Sequence, residues 1–343
     1  MIEVCAAGPL TTIQDAGRRG HQSLGVPVSG AMDQDSLRLA NILCGNPPGA
    51  PAFEATYAGL CLRFRAATAI AVTGSDLGPT INGRPIERHR VYALSPGDEL
   101  SLSGGPGVRC YIAVAGGLLL EPFLGSCSTY LRGGFPGLNG RALRAGDTIA
   151  LRRAPGADEI HRLAAQTLPP WFALNLPAAS PVVLRAVPGP QDDHFDQTGR
   201  DHFFGSTWVI SRESDRMGCR LEGTPLPGER AKQIISDGAA LGSVQVPGNG
   251  LPIILLADRQ PTGGYPKIAT VISSDVNLLA HCPPGTAVRF VAVSQEEAMA
   301  EARRRDGDFR RLVGELAAAR ATRKLRLSVA DRTYEVSLES LDQ

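Results

Sequence analysis

Four glycine-rich loops hold most of the side chains in this sequence that are equipped for chemistry. The first runs from Thr11 through Gln14, Asp15, Gly17, Arg18 and His21 to Ser29, Gly30 and Asp33. The second holds Gly125, Ser126, Cys127, Tyr130, Arg132 and Gly133, and the third Ser214, Asp215, Arg216, Gly218, Cys219 and Glu222. The fourth holds Asp258, Arg259, Gln260, Gly263, Gly264, Tyr265 and Lys267. Glycine lets a backbone approach a ligand closely, and successive free N–H groups can cradle an anion. Beside them stand cations suited to phosphate or carboxylate, hydroxyls and amides suited to orientation, and carboxylates suited to a metal or a proton. Any one such loop reads as an ordinary turn with solvated charges. Four in one chain point to a shared anionic guest.

The common catalytic signatures are absent. The sequence contains no G-x-x-x-x-G-K-[ST], no G-x-G-x-x-G opening a helix after a strand, no G-x-S-x-G and no H-E-x-x-H. Seven cysteines form no C-x-x-C pair, which argues against a structural zinc site or a disulfide framework and for buried thiols in a reducing compartment. Lysine occurs only at 232, 267 and 324, so each is notable. His21 is a candidate proton carrier, whereas His89, His161 and His281 are assigned no role. Trp171 and Trp208 read as packing residues.

The elements that must position these loops are short strands. At 343 residues and 43% hydrophobic content the chain is globular and suits two lobes. A formal net charge of +1 lacks the basic excess that phosphate-backbone binding needs, so nucleic acid is not an expected partner. The most apolar stretches, 112–120 and 253–257, are far short of the ~20 residues of a membrane span, and the first residues lack a basic signal region. The expectation is a soluble, cytoplasmic protein.

Apolar runs such as Ala69–Ile70–Ala71–Val72 and Ile253–Ile254–Leu255–Leu256, bounded by Gly, Pro, Asn and Asp, predict a mainly β fold. Three glycine-centred turns, at Gly97, Gly146 and Gly285, each lead into an alternating strand. Lobes are expected over 1–155 and 181–293, joined by a proline-rich linker over 152–181. A helix is expected over 32–43, with Leu37, Ala40, Asn41 and Cys44 on one face. A C-terminal extension over 294–343 opens on the capping box Ser294–Gln295–Glu296–Glu297, continues as a helix to about residue 323 with a break at Gly307, and ends in a hairpin turning at Ala330–Asp331–Arg332.

The loop sequences also carry a resemblance. QDAGRRG, SGAMD, GSCSTYLRGG, PGPQDD from Pro188, SDRMGCRLEG and GSVQVPGNGLPIILLADRQPTGGYPK occur in the order found in the biotin-dependent carboxyltransferase family, also called the allophanate hydrolase subunit 2 or KipI-antagonist family. The chain departs from the family pattern at Cys127, where Arg is usual, and at Pro261, where a second Thr is usual. The resemblance implies two cyclophilin-like β-barrel subdomains and a second subunit of allophanate hydrolase subunit 1 type.

It also implies a function: a subunit of an ATP-dependent 5-oxoprolinase, opening the lactam of 5-oxoproline to glutamate. Opening an unstrained lactam is uphill, and a resonance-stabilised amide is a poor electrophile, so coupling to ATP suits the task. On this reading Asp33, Arg216 and Lys267 are the candidate catalytic residues. His21, Glu54, Arg132, Asp215, Gln260 and Tyr265 would bind substrate or nucleotide, with Asp33, Asp215 or Glu54 as ligands of Mg²⁺. The alternative is carboxyl transfer from carboxybiotin to urea or another amide. No lysine lies between two methionines, so biotin would arrive on a separate carrier. A third reading is a non-catalytic regulator that binds a kinase inhibitor.

Overall fold

A computed structural model describes residues 1–227, 234–329 and 332–339. The first lobe consists of two antiparallel sheets. Ile2–Ala7, flanked by Thr148–Ile149 and Leu60–Phe64, belongs to a six-stranded sheet that continues through Glu99–Leu102, Pro79–Ile81 and Arg84–Pro85. The other sheet has five strands in the order Leu10–Gln14, Ala52–Thr56, Arg109–Val114, Thr68–Gly74 and Val91–Leu94. Alternate residues of both sheets, among them Val4, Leu62 and Phe64 against Phe53, Val72 and Ile112, share one core.

The central strands of the five-stranded sheet are buried on both faces, because helices cover the other side. Helix α1 (Gln34–Leu43) and helix α2 (Ala157–Ala164) pack there through Leu37, Leu39, Ala40, Ile160 and Leu163. The Met32 start predicted for α1 is displaced to Gln34, since Asp33 adopts an extended backbone and caps the helix by accepting from the amides of Asp35 and Ser36.

The second lobe is a closed seven-stranded barrel in the order Val182–Pro188, Lys267–Val271, Ser243–Gln245, Ile253–Leu255, Gly218–Glu222, Thr207–Ile210 and Ala287–Ala292. Its one parallel pair, between the first and last of these, closes the ring. Trp208 is fully buried in its core, beside Leu184, Phe203 and Phe290. Helices α3 (Gln197–Gly205) and α4 (Ser273–Leu279) lie in its connections. Met32 of the first lobe enters the same core, so the two lobes share packing as well as polar contacts.

All three turn glycines take the left-handed conformation, with φ of +98° at Gly97 and +89° at both Gly146 and Gly285. The capping box forms reciprocally, Glu297 N donating to Ser294 Oγ at 3.1 Å and Ser294 N to Glu297 Oε2 at 2.8 Å. Helix α5 (Gln295–Ala321) is not broken at Gly307. Phe309, Leu312 and Leu316 bury against the first lobe and hold it, an energy larger than the roughly 1 kcal/mol penalty of one helical glycine. The predicted hairpin is present as Thr322–Val329 paired with Arg332–Glu339 in the register Leu325↔Val336, while its turn residues Ala330 and Asp331 lie outside the described residues. No described helix is long and apolar enough to cross a membrane.

Candidate functional site

Asp15 ties the first loop to the second. Its carboxylate accepts from Gly17 N at 2.8 Å, Ser126 Oγ at 2.7 Å, Cys127 N at 2.6 Å and the Ser128 hydroxyl. Arg18, fully buried, donates to the carbonyls of Phe123 and Ser128. The first loop meets the fourth where Ser29 N donates to Ala257 O at 3.0 Å. The first loop therefore meets the second and the start of the fourth. Asp15→Ala should cost about 3 kcal/mol by leaving buried amides without acceptors, and should speed trypsin cleavage at Arg132 in limited proteolysis.

Arg216 is the centre of the convergence. It reaches from the third loop to donate to Asp258 (Nε to Oδ2, 2.9 Å), to the carbonyl of Gly30 and to Glu54 across the lobe boundary. Glu54 Oε2 accepts in turn from Met32 N and Tyr111 Oη, each at 2.8 Å, and Arg109 lies 3.6 Å from Oε1. Burial works to lower the Arg216 pKa, but the charges of Asp258 and Glu54 outweigh it and raise the pKa above its ordinary value.

Asp33 sits beside this network. Its backbone N–H donates to Tyr111 Oη at 2.8 Å, and its Oδ2 is 2.8 Å from His281 Nε2. His281 Nδ1 is 2.7 Å from Ser75 Oγ, so one imidazole links Asp33 of the first lobe's helix cap to Ser75 at the end of a strand. Burial alone would raise the Asp33 pKa, yet the hydrogen bonds from His281 and Ser36 hold it below the usual carboxylate range. His281, assigned no role from sequence, is thus a member of the buried network. The oxygens of Asp33 and Glu54, expected to be available to Mg²⁺, accept from protein donors. Among the described residues no three His, Cys, Asp or Glu side chains are grouped to hold a metal.

A cleft of about 400 Å³ opens above Arg216, lined among others by Tyr57, Arg109, Leu131, Arg132, Asp215 and Met217. Arg132 and Asp215 face each other at 3.4 Å with side chains 64% and 52% exposed. Such a pair is worth ~0–1 kcal/mol and exchanges readily for a guest.

Lys267 belongs to a second group, at the mouth of the barrel. Its side chain is 2% exposed; Nζ bonds Asp237 Oδ2 at 3.0 Å, and Gln191 Nε2 bonds the same oxygen at 3.1 Å. Tyr265, 38% exposed, and Gln260 lie on the loop leading into this strand. Among the described residues the side chains of His21 and Gln260 take part in neither hydrogen-bonded group; His21 caps the short turn Gln22–Leu24 at the tip of the first loop. The fold therefore brings together Asp33, Glu54, Arg216, Arg132 and Asp215, and places Lys267 and Tyr265 apart. Tyr111, Asp237 and Gln191 join these hydrogen-bonded groups without being singled out in the sequence, although Gln191 lies in the PGPQDD segment.

No cysteine is disulfide-bonded, and five of the seven are buried. Burial pushes the Cys127 thiol up to about 11 and that of Cys219 to about 12, so neither is a thiolate at neutral pH. His89 shows the opposite sign: desolvation and then Arg88 push it down to about 4, and its Nε2 has no partner. Against an unfolded value near ~6.5, the folded state binds fewer protons, so stability is full above that pH and falls as the pH drops towards 4, by up to about 3 kcal/mol. His89 has a φ of +63°, which Asn tolerates. His89→Asn should flatten the decline in urea midpoint between pH 7 and 5.

The two lobes and the loops between them define a carboxyltransferase-type architecture. The family model "Carboxyltransferase domain, subdomain A and B" matches residues 24–292, and the chain belongs to that family. It is 38% identical over 300 residues to the C subunit of the Escherichia coli 5-oxoprolinase, covering 87% of this chain and 93% of that protein. It is 36% identical over 320 residues to the C subunit of the Haemophilus influenzae 5-oxoprolinase, covering 92% and 99%. The urea carboxylase of Kluyveromyces lactis superposes with a TM-score of 0.80 at 30% identity over 91% of this chain and 29% of that one. TTHA0988 superposes with a TM-score of 0.72 at 34% identity over 84% and 55%. The chain thus spans about half of one solved structure and under a third of the other.

Proposed function

We infer that this chain is the equivalent subunit of an ATP-dependent 5-oxoprolinase and acts with a partner subunit of allophanate hydrolase subunit 1 type to activate the lactam of 5-oxoproline. The observation that carries this reading is the end-to-end likeness: the chain covers 93% and 99% of two 5-oxoprolinase C subunits. Seven free thiols suit a reducing, cytoplasmic setting.

On this reading the buried trio Asp33, Glu54 and Arg216 positions the loops, and the guest meets other groups. Arg132, whose weak pairing to Asp215 is solvent-exposed, offers a cation to phosphate or carboxylate at the cleft. Lys267 offers a desolvated ammonium to an anionic oxygen of the guest, where low dielectric strengthens it. Tyr265 and Gln260 would orient the guest. ATP with Mg²⁺ supplies the driving force in the complex, and no step is assigned to a metal ion.

A second reading, carboxyl transfer from biotin on a separate carrier, is favoured by the K. lactis urea carboxylase superposition. Co-expression with the neighbouring genes and assay of 5-oxoproline-dependent ATP hydrolysis tests both. The 5-oxoprolinase reading expects activity indifferent to avidin; loss with avidin moves the assignment to carboxyl transfer, and absence of 5-oxoproline dependence removes it.

A further inference from the structure

The side chains around Lys267 form an oxygen-binding site that is already filled by part of the chain itself. Gly189 makes this possible. A Cβ there would stand 2.0 Å from the carbonyl oxygen of Lys267, so only glycine lets the 189–193 turn lie against the strand. The turn then fixes Gln191. Its Oε1 accepts from Lys267 N at 3.3 Å, which leaves Nε2 facing outward, where it bonds Asp237 Oδ2 at 3.1 Å. Lys267 Nζ reaches that same oxygen at 3.0 Å. Two donors anchored on the barrel therefore converge on one point, and one of them is a buried ammonium.

The group occupying that point is held quite differently. Asp237 belongs to the two-residue strand Asp237–Gly238, both residues exposed, paired with Thr262–Gly263. Its side chain is 53% exposed while that of Lys267 is 2% exposed. The donors are rigid and behind; the carboxylate is in front, on a short exposed segment.

We propose that Asp237 is an internal stand-in for the carboxylate of a small amide substrate, and that Lys267 Nζ and Gln191 Nε2 are the donors that receive that carboxylate when Asp237 swings away. The assignment rests on the 5-oxoprolinase reading for the identity of the guest, 5-oxoproline being a lactam that bears a carboxylate. The donor geometry stands without it. Asp237 then acts as a latch: it neutralises the buried ammonium in the empty protein and admits only guests that can take over its charge.

Calorimetric titration of the full chain with 5-oxoproline, acetate and 2-pyrrolidinone, the lactam without the carboxylate, tests this. Asp237→Ala should tighten 5-oxoproline and acetate roughly tenfold or more, by removing the competing charge from two charge-assisted donors, with 2-pyrrolidinone unchanged. Lys267→Met and Gln191→Leu should each weaken both carboxylates. If Asp237 is only the structural partner of Lys267, Asp237→Ala lowers the melting temperature and neither carboxylate restores it; in the latch both do. Unchanged or weaker carboxylate binding in Asp237→Ala, or an equal gain for 2-pyrrolidinone, overturns the proposal. Tightened acetate binding in a complex that ignores 5-oxoproline would sink the functional reading and leave the site standing.

Discussion

Replacing Arg216 by methionine should lower the stability of this protein by about 3–5 kcal/mol. The guanidinium is 7% exposed and answers two carboxylates, Glu54 and Asp258, that are 1% and 6% exposed. Removing it leaves Asp258 without its cation and Glu54 with only the longer contact to Arg109, and a buried unpaired charge is far costlier than the intact pair is stabilising. Arg216→Lys should recover little, because one ammonium cannot span Asp258, Glu54 and the Gly30 carbonyl together. The triple change Glu54→Gln, Asp258→Asn, Arg216→Met should recover part of the loss, since both orphaned carboxylates are gone while Arg109 loses the Glu54 charge 3.6 Å away. Urea midpoints for the four proteins decide the matter. A loss below about 1 kcal/mol for Arg216→Met would place it among weak surface pairs.

Lys267→Met is the contrasting case, with the larger effect on activity and the smaller one on the fold. Methionine fills the channel of the lysine stem, and the partner left behind, Asp237, is half exposed and regains water. Stability should change little. Activity of the assembled complex should fall about 100-fold or more, the usual cost of removing one preorganised donor to an anionic oxygen. Melting temperature and co-purification of the partner, measured on the same preparation, separate lost chemistry from lost folding. Stability loss without activity loss would reverse the roles assigned to Lys267 and Arg216.

Local signals explain what is legible in the sequence. Glycines at 97, 146 and 285 need positive φ, and the Ser294 capping box needs only neighbours in sequence. The glycine-rich loops are legible as loops for the same reason, and their convergence is an inference from their number. What pairs with what is not legible. His281 meets Asp33 across 248 residues and Arg216 meets Glu54 across 162 residues. Periodicity carries no information about partners at that separation, so in sequence His281 looks incidental and Asp33 and Glu54 look free to bind a metal. Asp237 lies in a short exposed strand with no pattern to mark it; only the position of its Oδ2 between Lys267 and Gln191 does so. Gly307 misleads in the other direction, since its penalty is local while the packing of Phe309 and Leu312 that overrides it is tertiary.

The decisive experiment is to add purified chain stepwise to its co-expressed partners and measure glutamate formed from 5-oxoproline in the presence of ATP. Glutamate formation should rise to a stoichiometric plateau, and Lys267→Met chain should compete for the partners without supporting the reaction. Glutamate formation that is independent of this chain, or fully supported by the Lys267→Met chain, would contradict the assignment.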